Sequence, residues 1–190
     1  MKNMDWTQLS FKYSKTNTVL TCLYKDGKWG PVQSQTPDSI NLTVFSPSLH
    51  YGMSCFEGLK AFRGVDGKVR IFRPDENARM MQSSAGFLGI PCPDEELFHR
   101  MCMQAVQENI NFLPPYDLRA ALYIRPILIT TLPSINLVPQ QDGIMFMVIT
   151  LPVGSYAGTV LDPIKTVIAR DYDRAAPNGS GSFKVGGNYA

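Results

Sequence analysis

Residues 58–88 read GLKAFRGVDGKVRIFRPDENARMMQSSAGFL, and this stretch changes period halfway. Its first half is two alternating apolar runs around Val65-Asp66-Gly67, which predicts a β-hairpin with glycine taking the positive φ of the turn. Pro74 then opens a helix, where its missing N–H is no loss. Asp75 and Glu76 fall in the first turn, favoured by the helix dipole. Ala78, Met81, Ala85 and Leu88 recur at helical spacing and predict a buried stripe.

The same logic extends outward. Asp94 to about Phe112 reads as a second helix, with Leu97, Met101 and Ala105 on its apolar side, flanked by Phe98, Cys102 and Val106, and with Pro114-Pro115 as its stop. Ala121–Thr130, Ile144–Val153 and Lys165–Arg170 are strand candidates rich in apolar and β-branched residues. On the N-terminal side, Tyr24–Trp29 predicts a hairpin on an Asp-Gly turn, and Ile40–Phe45 is strand-like up to Pro47. Strands and helices mixed at this spacing predict an α+β or α/β layer with a mixed sheet and flanking helices. Gly154–Pro163 has the loose composition of a linker.

Bulk composition narrows the function classes. Lys, Arg, Asp and Glu are spread along 190 residues with a net charge of +2, so no basic block points to nucleic acid. The longest apolar runs are too short to span a bilayer. The N-terminal residues lack both the apolar core of a signal peptide and the Arg-rich look of a transit peptide. Cys22, Cys55, Cys92 and Cys102 have no metal or redox spacing, and His50 and His99 are too few for a metal cage. A cytoplasmic, reducing setting with free thiols and no metal is expected.

Three groups stand out chemically. Lys184 lies among glycines 179, 181, 186 and 187. It reads either as a solvated surface charge or as an amine able to condense with an aldehyde. His50, Tyr51, Phe56 and Glu57 form a compact mixture that is either an ordinary core strand or a site. Tyr123 and Arg125 are two apart in a predicted strand and share a face. They would order an anionic substrate or cap a sheet edge.

Taken together, these segments resemble the branched-chain aminotransferases, pyridoxal-phosphate enzymes of fold type IV. The resemblance rests on LHYGMSCFEGLKAFRG (49–64), LYIRP (122–126), the PVGxY pattern of Pro152–Tyr156 and YDRAAPNGSGSFKVGGNYA (172–190), in that order. It implies a small N-terminal domain over 1–155, a linker at 156–164, and at 165–190 the start of a large cofactor-binding domain. It implies that Lys184 forms the Schiff base with pyridoxal phosphate and shuttles the proton, that Tyr189 bonds the cofactor's phenolic oxygen, and that Arg174 supports the pocket. Tyr51, Phe56, Tyr123 and Tyr156 would shape an aliphatic pocket, with Arg125 ordering its hydrogen bonds. Ile135 and Leu137 would be the apolar contacts of a loop that reaches a neighbouring subunit of a homodimer. The implied activity transfers the amino group of leucine, isoleucine or valine to 2-oxoglutarate, in branched-chain amino-acid biosynthesis. D-amino-acid aminotransferase, aminodeoxychorismate lyase and a non-catalytic fragment are the competing readings.

The chain departs from that family in two places. The family's phosphate-binding arginine stands three residues after the helix asparagine. Counting from Asn77 puts Met80 there, with Arg79 one place early. The family also continues past GGNYA, so this chain is expected to be an incomplete portion of low activity. The 165–190 stretch is expected to be poorly anchored.

Overall fold

The two longest apolar runs of the chain pair with each other over ten residues, and everything else is arranged around that pair. The computed structural model describes residues 5–6, 9–36, 38–118, 120–154, 163 and 165–189. In chain order the strands are β1 (Val19–Lys25), β2 (Lys28–Trp29), β3 (Gln33–Gln35), β4 (Ser54–Phe56), β5 (Leu59–Arg63), β6 (Val69–Ile71), β7 (Ala121–Thr130) and β8 (Ile144–Val153). The helices are α1 (Pro47–His50), α2 (Pro74–Leu88) and α3 (Glu95–Glu108). The eight strands form one sheet in the order β2-β1-β8-β7-β5-β6, with β3 on β1 and β4 on β7. All the pairings are antiparallel.

The sheet has two unlike faces because side chains alternate along each strand. Leu122, Ile124 and Leu128 of β7 and Ile144, Phe146 and Val148 of β8 are fully buried against the helices. Phe146 packs against Phe98 of α3 with ring centroids 6.0 Å apart, and against Trp29 at 6.3 Å. The predicted stripe of α2 and the apolar side of α3 supply the other half of this core. The opposite face carries Phe56, Tyr123 and Arg125.

Pro126 sits in the middle of β7, where a proline is unexpected. Its carbonyl accepts the Glu57 N–H at 2.9 Å, but it has no N–H to return. The ladder is interrupted there, which divides β4 from β5 although both keep one register along β7.

Both predicted hairpins form. Asp26 and Gly27 take φ of 53° and 76°, the paired left-handed geometry of a two-residue turn. The second helix is α-helical only to Glu108. Asn109 ends it by turning its side chain onto neighbouring backbone: Nδ2 donates to Ala105 O and Thr18 O, and Oδ1 accepts the N–H groups of Asn17 and Thr18. Ile110–Phe112 continues as a 3-10 turn.

Two strand expectations fail. Ile40–Phe45 has no ladder partner, and Val44 and Phe45 enter a turn capped by Ser46, whose Oγ accepts the Ser48 N–H ahead of α1. Lys165–Arg170 is irregular, with Val167 94% and Ile168 82% exposed. β-propensity makes a strand only where a neighbour completes its hydrogen bonds, and among the described residues none does. The expected linker lies, apart from Pro163, outside the described residues.

The 165–190 stretch also differs from expectation at its far end. Val185 is buried and bridges Cys55 of β4. Asn188 staples the segment by donating to Ser180 O and Phe183 O, both at 2.7 Å, while Ser180 Oγ donates to its Oδ1. Phe183 stacks on Phe87 of α2 at 4.2 Å.

Replacing Phe146 by alanine removes a ring shared by β8, α3 and Trp29. It is expected to lower stability by about 3–5 kcal/mol, measured by urea denaturation.

Candidate active site

Lys184 is positioned through its backbone before its side chain enters the question. Its carbonyl accepts the Phe56 N–H at 3.1 Å, along the edge of β4 away from β7. Its own N–H donates to Ser84 Oγ at 2.9 Å. Ser84 is fully buried on α2 and donates its hydroxyl to Met80 O at 2.9 Å. The lysine is therefore clasped between the sheet edge and α2, with its half-buried side chain directed to the open face.

Phe56 is the hub of that face. The Arg125 guanidinium lies 4.4 Å from its ring centroid, the Lys184 ammonium 5.4 Å, and the Tyr189 ring 5.0 Å. Such cation–ring contacts contribute about 0.5–2 kcal/mol each. Lys184 Nζ also donates to Tyr189 Oη at 3.4 Å. Arg125 donates from Nε and Nη2 to Tyr123 Oη, at 3.0 and 2.8 Å. Gly58 makes room for this pair: a Cβ there would stand 2.4 Å from the Tyr123 hydroxyl.

Five of the candidate residues thus meet: Phe56, Tyr123, Arg125, Lys184 and Tyr189. The others lie elsewhere. Tyr51 donates its hydroxyl to Ile135 O at 2.8 Å, tying the 131–143 loop to α1. Ile135 and Leu137 are exposed on that loop. Arg174 lies in an exposed turn and makes no hydrogen bond or ion pair to this cluster among the described residues. Tyr156 lies outside the described residues. Arg79 is directed to carboxylates, at 2.8 Å from Glu76, 3.4 Å from Asp75 and 3.3 Å from Glu95. One residue is about 100° of helix. Met80 lies one turn before Ser84 on the Lys184 side, and Arg79 is turned towards α3.

Two functional features escaped sequence reasoning. Ser84 falls inside the apolar stripe of α2, and a hydroxyl in such a stripe is the signal that a backbone group approaches there. Glu57 appeared only as a neighbour of Phe56, yet it is 2% exposed and faces the helix layer. Its Oε2 accepts from Asn77 Nδ2 at 2.6 Å and from Gly58 N at 3.3 Å. Its Oε1 has no hydrogen-bond partner among the described residues. Burial pushes the Glu57 carboxyl above the usual range, against the bonds from Asn77 and Gly58 and the charges of Lys184 and Arg125. Burial pushes the Cys55 thiol up to about 12 and raises those of Cys22, Cys92 and Cys102.

An antiparallel sheet with helices on one face and a lysine pinned to its edge has close counterparts among solved structures. Branched-chain aminotransferase from Escherichia coli superposes with a TM-score of 0.64 at 22% identity, covering 92% of this chain and 51% of that one. A second branched-chain aminotransferase, solved with pyridoxamine 5'-phosphate, superposes at 0.63 with 24% identity, over 92% of this chain and 53% of that one. The enzyme from the thermophilic archaeon Thermoproteus uzoniensis, solved with norvaline, superposes at 0.55 with 24% identity, over 74% of this chain and 42% of that one. The fold is therefore that of the branched-chain aminotransferases.

Among curated proteins, the branched-chain-amino-acid aminotransferase of Haemophilus influenzae is 44% identical over 190 residues, covering 100% of this chain and 55% of the relative. That of Helicobacter pylori is 40% identical over 191 residues, covering 100% and 56%. The chain is thus similar over its whole length to branched-chain-amino-acid aminotransferases. It spans about half the length of the curated relatives it matches. No protein-family model matches it.

Ser84→Ala leaves the Lys184 N–H without its acceptor. The expected result is a loss of about 1–3 kcal/mol together with faster hydrogen exchange at the Lys184 amide, followed by NMR or mass spectrometry.

Proposed function

We propose that this chain carries the reactive lysine of a branched-chain-amino-acid aminotransferase that works with pyridoxal phosphate. The observation that carries this reading is the Lys184 amine held on the open sheet face, 3.4 Å from the Tyr189 hydroxyl and above Phe56. The homology of the whole chain supports it, as does the pyridoxamine phosphate of a structural neighbour.

The residues present suit the reacting end of that cofactor. An amine and a phenol stand together, and a Cβ at Gly186 would meet only Ser54 Oγ at 3.9 Å, so the approach is open. Lys184 would hold the cofactor and Tyr189 would bond its phenolic oxygen. When bound, the cofactor supplies an aldehyde carbon and an electron-withdrawing ring. Lys184 Nζ would be the base that takes the proton from the substrate Cα and returns it during transfer. Phe56 and Tyr123 offer aromatic walls to leucine, isoleucine or valine. Arg125, bonded to the Tyr123 hydroxyl, offers a cation to the second carboxylate of 2-oxoglutarate or glutamate. We assign 1–155 as the small domain, 156–164 as a linker and 165–190 as part of a cofactor-binding domain. Arg174 and Tyr156 are assigned to the pocket by resemblance alone.

A homodimer is part of this reading. Leu137 is 79% and Ile135 67% exposed, and Val44, Leu49 and Val138 lie exposed on the same loop and the adjoining 44–51 segment. Apolar area of this kind marks an interaction surface. No helix among the described residues is long and apolar enough to cross a membrane. The four free thiols support a reducing, cytoplasmic compartment.

Borohydride reduction in the presence of pyridoxal phosphate is expected to label Lys184 and to label nothing at that site in Lys184→Ala. Leucine should protect against labelling better than alanine, by about 1–3 kcal/mol per methylene. Labelling elsewhere, or equal protection, would overturn the assignment. The double variant Ile135→Asp/Leu137→Asp is expected to sediment as a smaller species than the parent chain, measured by analytical ultracentrifugation.

A further inference from the structure

Lys184 and Tyr189 lie five residues apart on one short loop, and the distance between their side chains depends on how that loop turns. Lys184 is fixed through its own backbone, by Ser84 Oγ and the Phe56 N–H. Tyr189 has no such anchor. It is 57% exposed, and its side chain's hydrogen-bond and ring partners among the described residues are Lys184 and Phe56. Between the two, Gly186–Asn188 makes a single 3-10 turn. In it the Asn188 N–H donates to Val185 O at 3.2 Å and the Tyr189 N–H to Gly186 O at 2.9 Å. Hydrogen-bond geometry in a 3-10 turn is poorer than in an α-helix, and its two glycines have much backbone freedom to lose.

The side chain of Asn188 closes this turn. Asn188 is 7% exposed. Its Nδ2 donates to Phe183 O, in the peptide just before Lys184, and to Ser180 O, both at 2.7 Å. Ser180 Oγ donates to its Oδ1 at 2.7 Å, which fixes the amide with its NH2 towards the two carbonyls. Phe183 is itself stacked on Phe87 of α2, so the carbonyl that Asn188 grips is anchored to the helix layer. The next residue after Asn188 is Tyr189. The peptide that carries the phenol is therefore tied to the peptide that precedes the amine.

We propose that Asn188 is a positioning residue: its side-chain amide holds the Tyr189 phenol in place beside the Lys184 amine. Without those bonds the glycine turn is free to open, and the Tyr189 ring leaves the Phe56 ring on which it packs at 5.0 Å. The amine keeps its place, because Ser84 and Phe56 hold its backbone independently. Asn188 thus acts on the phenol and spares the amine. The proposal rests on the reading of Lys184 and Tyr189 as a pair that holds the cofactor.

The test labels Lys184 in the presence of cyanoborohydride with two aldehydes, pyridoxal phosphate and propionaldehyde, and follows both rates by peptide mapping. Propionaldehyde has no phenolic oxygen and reports the amine alone, so the ratio of the two rates reports the phenol. Asn188→Asp keeps the shape and sets an oxygen against the carbonyls of Ser180 and Phe183. It is expected to lower the ratio about tenfold, as is Tyr189→Phe, and the double variant is expected to fall no further than Tyr189→Phe alone. A purely structural role would lower the melting temperature and slow both aldehydes alike. An unchanged ratio in Asn188→Asp with Lys184 still labelled, or a further fall in the double variant, overturns this proposal and leaves the assignment of Lys184 standing. No label on Lys184 in the parent chain, or an unchanged ratio in Tyr189→Phe, overturns the reading of the pair and this proposal with it. Ser180→Ala removes one of the amide's bonds without adding a repulsion, and it decides the matter if Asn188→Asp does not fold. It is expected to lower the ratio about threefold, and an unchanged ratio there overturns the proposal.

Discussion

The structure depends on a short run of backbone pairing between the edge of β4 and the residues around Lys184. The bridge from Cys55 to Val185 and the bond from Phe56 N to Lys184 O use a strand edge that would otherwise be free. Natural sheets protect such edges, and here the protecting segment is the one that carries Lys184. Completing the sheet and placing the lysine are one event. Because Ser84 secures the same peptide from the helix side, the amine starts from a backbone fixed in two directions. A long side chain reaches a defined place only from such a base.

Pairing also explains why the cluster centres on Phe56. Residues on one side of β4 and β5 alternate inward and outward, so Phe56 and Gly58 share the open face while Cys55, Glu57 and Leu59 enter the core. Arg125 and Tyr123 alternate likewise on β7. Around Phe56 the open face thereby collects the Lys184 and Arg125 cations and the Tyr123 and Tyr189 phenols, with Gly58 as the gap into which the Tyr123 hydroxyl fits. The helix face collects the apolar side chains. Glu57 is the exception, a carboxyl on the helix side of the sheet, where burial outweighs the hydrogen bonds from Asn77 and Gly58 and pushes the carboxyl above its usual range.

Much of this was legible from period alone. The GLKAFRGVDGKVRIF hairpin, the Pro74 helix start, and β7 and β8 each announce themselves by residue type and spacing. What failed, failed for lack of a partner. Ile40–Phe45 and Lys165–Arg170 carry strand-like residues but have no neighbouring ladder among the described residues, and intrinsic preference cannot supply one. Of the site, Tyr189 was named from resemblance alone, while Lys184 and Phe56 stood out also by their local composition and Tyr123 and Arg125 by strand alternation. Ser84 and the orphaned oxygen of Glu57 were not legible. Their roles arise from contacts between residues 100 positions apart or across a layer, which no local pattern encodes.

The single-residue offset between Arg79 and Met80 shows how sharply helical periodicity limits chemistry. Arg79 stands among Asp75, Glu76 and Glu95, so its charge is already matched by three carboxylates. An anion brought to that guanidinium would meet those carboxylates as well, and their repulsion would offset much of its attraction. The side that Met80 shares with Ser84 is the side next to Lys184, and there α2 presents a thioether and a hydroxyl rather than a cation. Any phosphate group held near Lys184 must therefore find its donors elsewhere than in the Arg79 side chain. The backbone N–H groups of glycine-rich loops and the residues after them are the usual source of such donors.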